Sequence, residues 1–343
     1  MKGRRIVLGE WNGREAAALV LDGRLDDLLL DHPHQLRPGA ILRALCDRPL
    51  KGQGGMILRL PDGGQGWLRQ ATSRRPGEPL LVQVTGVPEG GKAVPLTDRI
   101  LFKGRFAIVT PGAPGVNVSR RVRDGAERGR LEAVGAAALG EAPHGLILRS
   151  AAVEASDEDL TGEIASLLAL AEQVLTDGGR EPELLVDGDG PHALALREWT
   201  ASDIVDGPSA FEREGLIEQV EALRSPVARL EDGGSLSIEV TRAVVAVDVN
   251  TGSDTSGAAA LKANLAAARL LPRQLRLRGL GGQIVVDFVS MSKAHRRTLE
   301  QSLRDSFRND PVETSLVGWT AMGLYEISRK RERVPLAVLA GEP

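Results

Sequence analysis

Two stretches carry the clearest hydrophobic pattern in the chain. "RAVVAVDVNTG" (242–252) and "GGQIVVDFVSM" (281–291) each run through apolar, mostly β-branched positions and then place one aspartate, Asp248 or Asp287, at the matching point. Such runs, bounded by Gly, Asn and Ser, predict strands at 243–249 and 283–289. Between them, within about 257–278, apolar side chains recur at helical spacing, and a basic helix is expected within about 292–308. Strand, helix, strand is a βαβ unit, so the two strands should lie parallel with a right-handed crossover. Just upstream, "SPVARLEDGGSLSIEV" reads as a hairpin turning on "DGG".

The rest of the chain is patterned in shorter pieces. Residues 5–30 alternate into one hairpin with "DG" as its turn. From 37 to 98, "GAILRAL", "GGMILRLPDGGQGWL", "EPLLVQVTGVP" and "KAVPL" are short strands split by turn clusters, the pattern of a small OB-fold-like barrel. Residues 99–182 hold "ILFKGRFAIVTPG", a Gly/Pro-rich loop, "HGLILRSAA" and a helix in "EDLTGEIASLLALAEQVLTDGG". A short strand, "ELLVDG", and a helix at "PSAFEREGLIEQVEALRS" follow within 183–223. The whole is expected to be a multidomain α/β (α+β) protein.

Composition narrows the function. The 343 residues are 42% hydrophobic, and the formal charge of −3 excludes a uniformly basic surface while leaving local basic stripes possible. The single cysteine, Cys46, excludes an internal disulfide and a Cys-rich zinc site. Neither a signal peptide nor a membrane span is visible, so a reducing cytoplasm is the expected setting. Aromatic residues are only 3%, so a nucleic-acid binder of this composition relies mainly on phosphate contacts and one or two stacking residues.

In the βαβ unit, Asp248 and Asp287 end neighbouring strands, where carboxylates repel unless one is protonated or a cation lies between them. Magnesium suits that place, since it accepts one or two carboxylates and keeps waters. Asn250, two residues after Asp248, points to the same face. One such aspartate reads more simply as a cap; two at matched positions leave the cap and the metal site both open. Three basic segments are expected to flank the pair and favour a phosphodiester. They carry Arg273, Arg276 and Arg278; Lys293, Arg296, Arg297, Arg304 and Arg308; and Arg329, Lys330, Arg331 and Arg333.

Taken together, "RLEDGGSLSIEVTRAVVAVDVNTG", "NLAAARLLPRQLRLRGLGGQIVVDFVSM" and "MGLYEISRKR" resemble the catalytic core of the ribonuclease E/G endoribonucleases, densely over about 224–333. The resemblance thins through "KGRFAIVTPGAPGVNVSRRV" and "GLILRSA" to the first hairpin. It implies an RNase H-like subdomain (1–36 and 183–223) interrupted by an OB-fold RNA-binding domain (37–98) and a 5′-phosphate sensor segment (99–182). A DNase I-like catalytic subdomain (224–343) comes last. It further implies a magnesium ion, with manganese able to substitute, held by Asp248 and Asp287 with Asn250 in support. Cleavage of single-stranded RNA, in ribosomal RNA processing or messenger decay, would leave 5′-phosphate and 3′-hydroxyl ends.

By the same resemblance, Arg149, Ser150 and the backbone near Gly104 and Ile108 form a pocket favouring 5′-monophosphorylated substrates. Trp67, Lys92, Arg120 and Arg121 contact RNA. Apart from the resemblance, Trp67 reads as barrel core, Lys92 as a solvated turn residue and Arg149 as a surface ion-pair partner. The family's usual Cys-x-x-Cys pair is missing from this sequence, so no zinc is expected, and a homodimer would form without a zinc link. Ser290 and Ala321 stand where the family usually carries aspartate and arginine. The alternative function is an RNA-binding protein of the same fold with weak or lost cleavage. A metal-binding structural module fits the basic segments less well.

Overall fold

The computed structural model describes residues 3–32, 35–50, 52, 54–69, 74–231, 233–253 and 256–341. The chain opens with a meander of β1 (Arg4–Trp11), β2 (Arg14–Leu21) and β3 (Arg24–Leu30). One hairpin was expected over this stretch; the chain turns twice, at Asn12-Gly13 as well as Asp22-Gly23. All four residues adopt positive φ, at 51°, 69°, 51° and 80°, as a tight type I′ turn requires.

Next come β4 (Ile41–Leu50), β5 (Gly55–Arg59), β6 (Gln65–Arg69), β7 (Pro79–Val84) and β8 (Val94–Thr97). β4 pairs with β5 and β7, β6 with β5 and β8, and β7 with β8, so the expected OB-like barrel closes with five strands. Leu42, Ala44, Met56, Leu58, Leu68 and Val82 fill it.

β9 (Phe102–Lys103), β10 (Ala107–Pro111), β11 (Gly115–Val118), α1 (Gly125–Leu139), β12 (His144–Leu148) and α2 (Asp157–Leu175) follow. These strands make a sheet ordered β11-β12-β10-β9, sharing a core with α1 and α2. A loop was expected where β11 and α1 lie. Only Leu131, Gly135 and Leu139 of α1 are buried, and an Ala- and Gly-rich surface blurs the apolar stripe that periodicity would detect. β13 (Glu183–Val186) then pairs with β4, and α3 (Pro191–Glu198) follows.

β14 (Asp203–Asp206) returns to pair in parallel with β1. The single helix expected at 208–225 is two, α4 (Ala210–Arg213) and α5 (Leu216–Glu221), separated by Gly215 at φ 63°. The remainder is β15 (Val227–Arg229), β16 (Ser235–Val240), β17 (Val245–Asn250), α6 (Gly257–Leu277), β18 (Gly282–Asp287), α7 (Lys293–Phe307), β19 (Thr314–Trp319), β20 (Tyr325–Arg329) and α8 (Leu336–Leu339). Its six strands form one sheet ordered β15-β16-β17-β18-β20-β19. The expected β15–β16 hairpin is present, though Asp232 of its turn lies outside the described residues.

The chain divides into two compact units, Met1–His32 with Ala201–Pro343, and Pro33–Thr200. Of the segment 183–223 expected beside the first strands, β14, α4 and α5 belong with them, whereas β13 and α3 belong to the barrel-containing unit. No helix among the described residues is long and apolar enough to cross a membrane.

Candidate active site

The six-stranded sheet has one covered and one open face. Along β17, Val245, Val247 and Val249 are buried while Asp248 and Asn250 are exposed; along β18, Ile284 and Val286 are buried while Asp287 is exposed. This is the two-residue alternation of a strand with one face on the core. The buried set packs against Ala263, Ala267, Leu271 and Leu275 of α6 and Leu299 and Leu303 of α7. Both helices therefore cover the face opposite the aspartates.

β17 and β18 are parallel, and Asp248 stands directly opposite Asp287. Neighbouring strands lie about 4.8 Å apart, so two carboxylates project side by side into solvent. The Asn250 side-chain N–H donates to Asp248 Oδ2 at 2.6 Å, leaving its carbonyl oxygen as a further ligand atom. Among the described residues, no group of three or more His, Cys, Asp or Glu side chains is placed to hold a metal. Two carboxylates and an amide oxygen on an open face fit a hard cation that retains several waters, such as magnesium. They do not fit a closed nitrogen- and sulfur-rich zinc centre.

A residue that periodicity assigned simply to a helix holds this arrangement in place. Asn264 of α6 is fully buried; its side chain accepts from the Val289 N–H at 3.0 Å and donates to the Val289 carbonyl at 2.8 Å. The backbone just beyond Asp287 is thereby pinned to the crossover helix. The available signal was one amide in the apolar stripe of "LKANLAAARLL", since a buried Asn needs partners. Asn264→Leu strands both Val289 groups and is expected to lower unfolding free energy by about 1–3 kcal/mol in urea titrations.

Two of the three basic segments turn largely inward instead of flanking the aspartates. Arg276, Arg278 and Arg329 are buried. Arg276 pairs with Asp26, Asp27 and Asp310, Arg329 with Asp310, and Arg333 with Asp27. Arg273 donates to the Leu25 carbonyl, and Arg278 to the Gln274 side chain and the Ser225 carbonyl. Arg278 has no carboxylate partner among the described residues, and burial pushes its pKa down to about 10. These arginines carry the fold. Sequence alone could not separate internal from surface arginines, because their acidic partners lie far away in the chain. On α7, Arg304 and Arg308 pair with Glu300 and Asp305, and Arg296 stacks on the Trp319 ring at 4.4 Å. Lys293 and Arg297 are exposed and make no ion pair among the described residues.

The family model for the ribonuclease E/G family matches residues 102–207 and 202–332. The chain belongs to the ribonuclease E/G family. Ribonuclease G of Salmonella typhimurium and ribonuclease G of Escherichia coli (strain K12) are each 33% identical over 303 residues, covering 76% of this chain and 61% of theirs. Ribonuclease E of a Nostoc species is 30% identical over 309 residues, covering 78% of this chain and 45% of its own. The chain thus spans less than two thirds of the length of these relatives.

The other residues singled out by likeness to the family lie in the barrel-containing unit. Trp67 lies on the strand face opposite the buried Gly66 and Leu68, outside the barrel core; it is half-buried, and its indole nitrogen is buried. Its ring lies across Gly55, where a Cβ would come within 2.6 Å of the indole nitrogen. Arg59 and Arg69, paired across β5 and β6 with Gln65 and Gly55, flank it without an ion pair among the described residues. Lys92 is exposed in a turn and pairs with Glu89 at 2.7 Å. Arg120 and Arg121 are exposed after β11, in a loop whose Val118, Ser119 and Val122 carbonyls accept from Arg128.

Arg149 follows β12 directly and donates to the Gly104 carbonyl at 2.8 Å and to Glu198. Ser150 is exposed and opens a short 3-10 turn over Ser150–Glu154. The Gly104 N–H bonds to the Ala107 carbonyl at 2.8 Å, and Ile108 pairs with Ile147 and Lys103 inside the sheet. Two acidic residues that sequence reasoning missed, Glu163 and Glu198, line the same place. Nothing local marks them, since each is one carboxylate among many on a helix.

Proposed function

We propose that the protein is a magnesium-dependent endoribonuclease of single-stranded RNA, leaving 5′-phosphate and 3′-hydroxyl ends. The observation that carries this is the register of Asp248 opposite Asp287 on an open sheet face, with Asn250 bonded to Asp248. Asp248 and Asp287 would hold the cation and Asn250 would orient the Asp248 carboxylate. When bound, magnesium supplies charge neutralisation at the phosphodiester and a water of lowered pKa. Two carboxylates with no cation would repel RNA, so a pure binder gains nothing from them.

The barrel is read as the single-strand grip. Trp67 offers a stacking face flanked by Arg59 and Arg69, and Arg120, Arg121 and Lys92 add phosphate contacts. Trp67→Ala is expected to weaken binding of a single-stranded oligonucleotide by about 1–3 kcal/mol, with a smaller loss of thermal stability because the half-buried ring also covers Gly55. Fluorescence anisotropy with a melting control measures both. Arg149 and Ser150 form a 5′-end pocket that favours a monophosphate over a hydroxyl. A reducing cytoplasm and a homodimer complete the reading.

The deciding experiment is incubation of a 5′-monophosphorylated, AU-rich RNA with the protein, with magnesium and with EDTA, followed by end-group analysis. Magnesium-dependent internal cleavage with 3′-hydroxyl products supports the proposal. RNA binding without cleavage at any magnesium or manganese concentration would mean that the chain is a binding protein of this fold.

A further inference from the structure

The carboxylate of Glu198 stands where the proposed 5′-end pocket would receive a phosphate. Glu198 is the last residue of α3, at a helix C-terminus, where the backbone dipole disfavours negative charge. Two guanidinium groups hold it there: Arg149 Nη2 donates to Oε2, and Arg197 Nε donates to Oε1 at 2.9 Å. Arg105 Nη1 donates to the Leu196 carbonyl at 2.5 Å, tying the same helix end to the loop that carries Gly104. Burial alone would raise the pKa of Glu198, but Arg149 and Arg197 outweigh it and hold the carboxylate below its usual range. It is therefore ionised at neutral pH.

The adjoining loop is filled in the same manner. Glu163 accepts from the backbone N–H groups of Arg105, Phe106 and Ala107 at 2.9, 2.7 and 2.8 Å. A Cβ at Gly104 would come within 2.4 Å of the Glu163 carboxylate, so this glycine accommodates an internal acid. The Arg149 guanidinium is thus already neutralised within the chain. A phosphate monoester and this carboxylate compete for it, because Arg149 Nη1 already serves the Gly104 carbonyl and like charges at hydrogen-bonding distance repel.

We propose that Glu198 is a specificity-determining residue: an internal competitor that a 5′-terminal phosphate must displace from Arg149. This rests on reading the Arg149 pocket as a 5′-end site. Arg197 makes the exchange feasible, because it keeps one carboxylate oxygen engaged when Arg149 turns to the phosphate. Preference for a 5′-monophosphate is consequently held down in the wild-type protein, and Glu198 sets how far.

The test compares binding of one oligoribonucleotide carrying either a 5′-monophosphate or a 5′-hydroxyl to the full chain at fixed salt. The proteins are wild type, Glu198→Gln, Arg149→Ala and the double variant. Glutamine keeps the shape and the bond from Arg197 but removes the charge. Glu198→Gln is expected to raise the monophosphate-to-hydroxyl affinity ratio about tenfold, the worth of one released charge-assisted bond. Arg149→Ala should abolish that gain in the double variant. If Arg149→Ala lowers the ratio but Glu198→Gln does not raise it, the pocket stands and the competitor is refuted. An equal gain for both 5′ ends reflects general charge and also overturns the proposal. If no variant moves the ratio, the pocket itself is absent and the proposal falls with it.

Discussion

Asp248→Asn should reduce magnesium-dependent cleavage on the order of 10³-fold or more, because a held cation supplies several kcal/mol of charge stabilisation and each 1.4 kcal/mol is a factor of ten. The substitution keeps the volume of the side chain and its place opposite Asp287, so the fold should melt at nearly the wild-type temperature. RNA affinity should hold or rise, since the change removes one negative charge from the face proposed to meet RNA. Asp287→Asn should behave alike, and the double variant should be little worse than either single one, as expected of residues that act as a unit. Single-turnover cleavage with saturating protein separates this loss from any change in binding. Cleavage within a few-fold of wild type by both variants would remove the aspartates from the chemistry.

Asp310→Ala should be strongly destabilising, by about 3–5 kcal/mol, because it leaves the buried Arg329 guanidinium uncompensated. The Asp310 side chain has no exposed surface and accepts from Arg276 at 2.5 Å and from Arg329 at 2.8 Å. Arg329 lies on β20 beside β18 and also reaches the Thr314 hydroxyl on β19 at 2.7 Å, while Arg276 continues to Asp26 and Asp27. Loss of Asp310 therefore leaves the buried Arg329 guanidinium with no carboxylate among the described residues, while Arg276 keeps Asp26 and Asp27. Buried pairs are poorly screened, so the loss should be nearly independent of salt between 50 and 500 mM, about the range over which surface pairs fade. Denaturant titrations at both salt concentrations measure it. A cost below about 1 kcal/mol would mean that water reaches and solvates the pair.

The βαβ unit was legible because its signal is local. Apolar β-branched runs, a periodic helix and two aspartates at matched places are enough to bring Asp248 and Asp287 onto one face. The barrel was legible for a similar reason, as short strands alternate between turn clusters. What escaped depends on distance or on muted contrast. The first turn of the meander lay in a bare Asn-Gly pair, and α1 hid its stripe among alanines. The arginines of "RQLRLRGL" and "SRKRER" read as an RNA-facing surface, yet Asp26, Asp27 and Asp310 draw several of them inside. Trp67 points the other way: taken alone it belonged in the barrel core, and strand alternation turns it outward.

The parallel pairing of β14 with β1 has a consequence for how the chain is made. Arg5 and its partner Asp203 are 198 residues apart, and every residue of the barrel-containing unit lies between them. At a synthesis rate of about 5–20 residues per second, the first meander waits on the order of 10–40 s for the strand that completes its sheet. The barrel-containing unit is synthesised in one piece during that interval and can fold on its own schedule. The aspartate-bearing sheet comes last of all. A chain truncated after residue 200 should therefore resist protease within the barrel-containing unit while the first meander is still cut. On the proposed function, a chain competent to hold RNA would thus exist before one competent to cleave it.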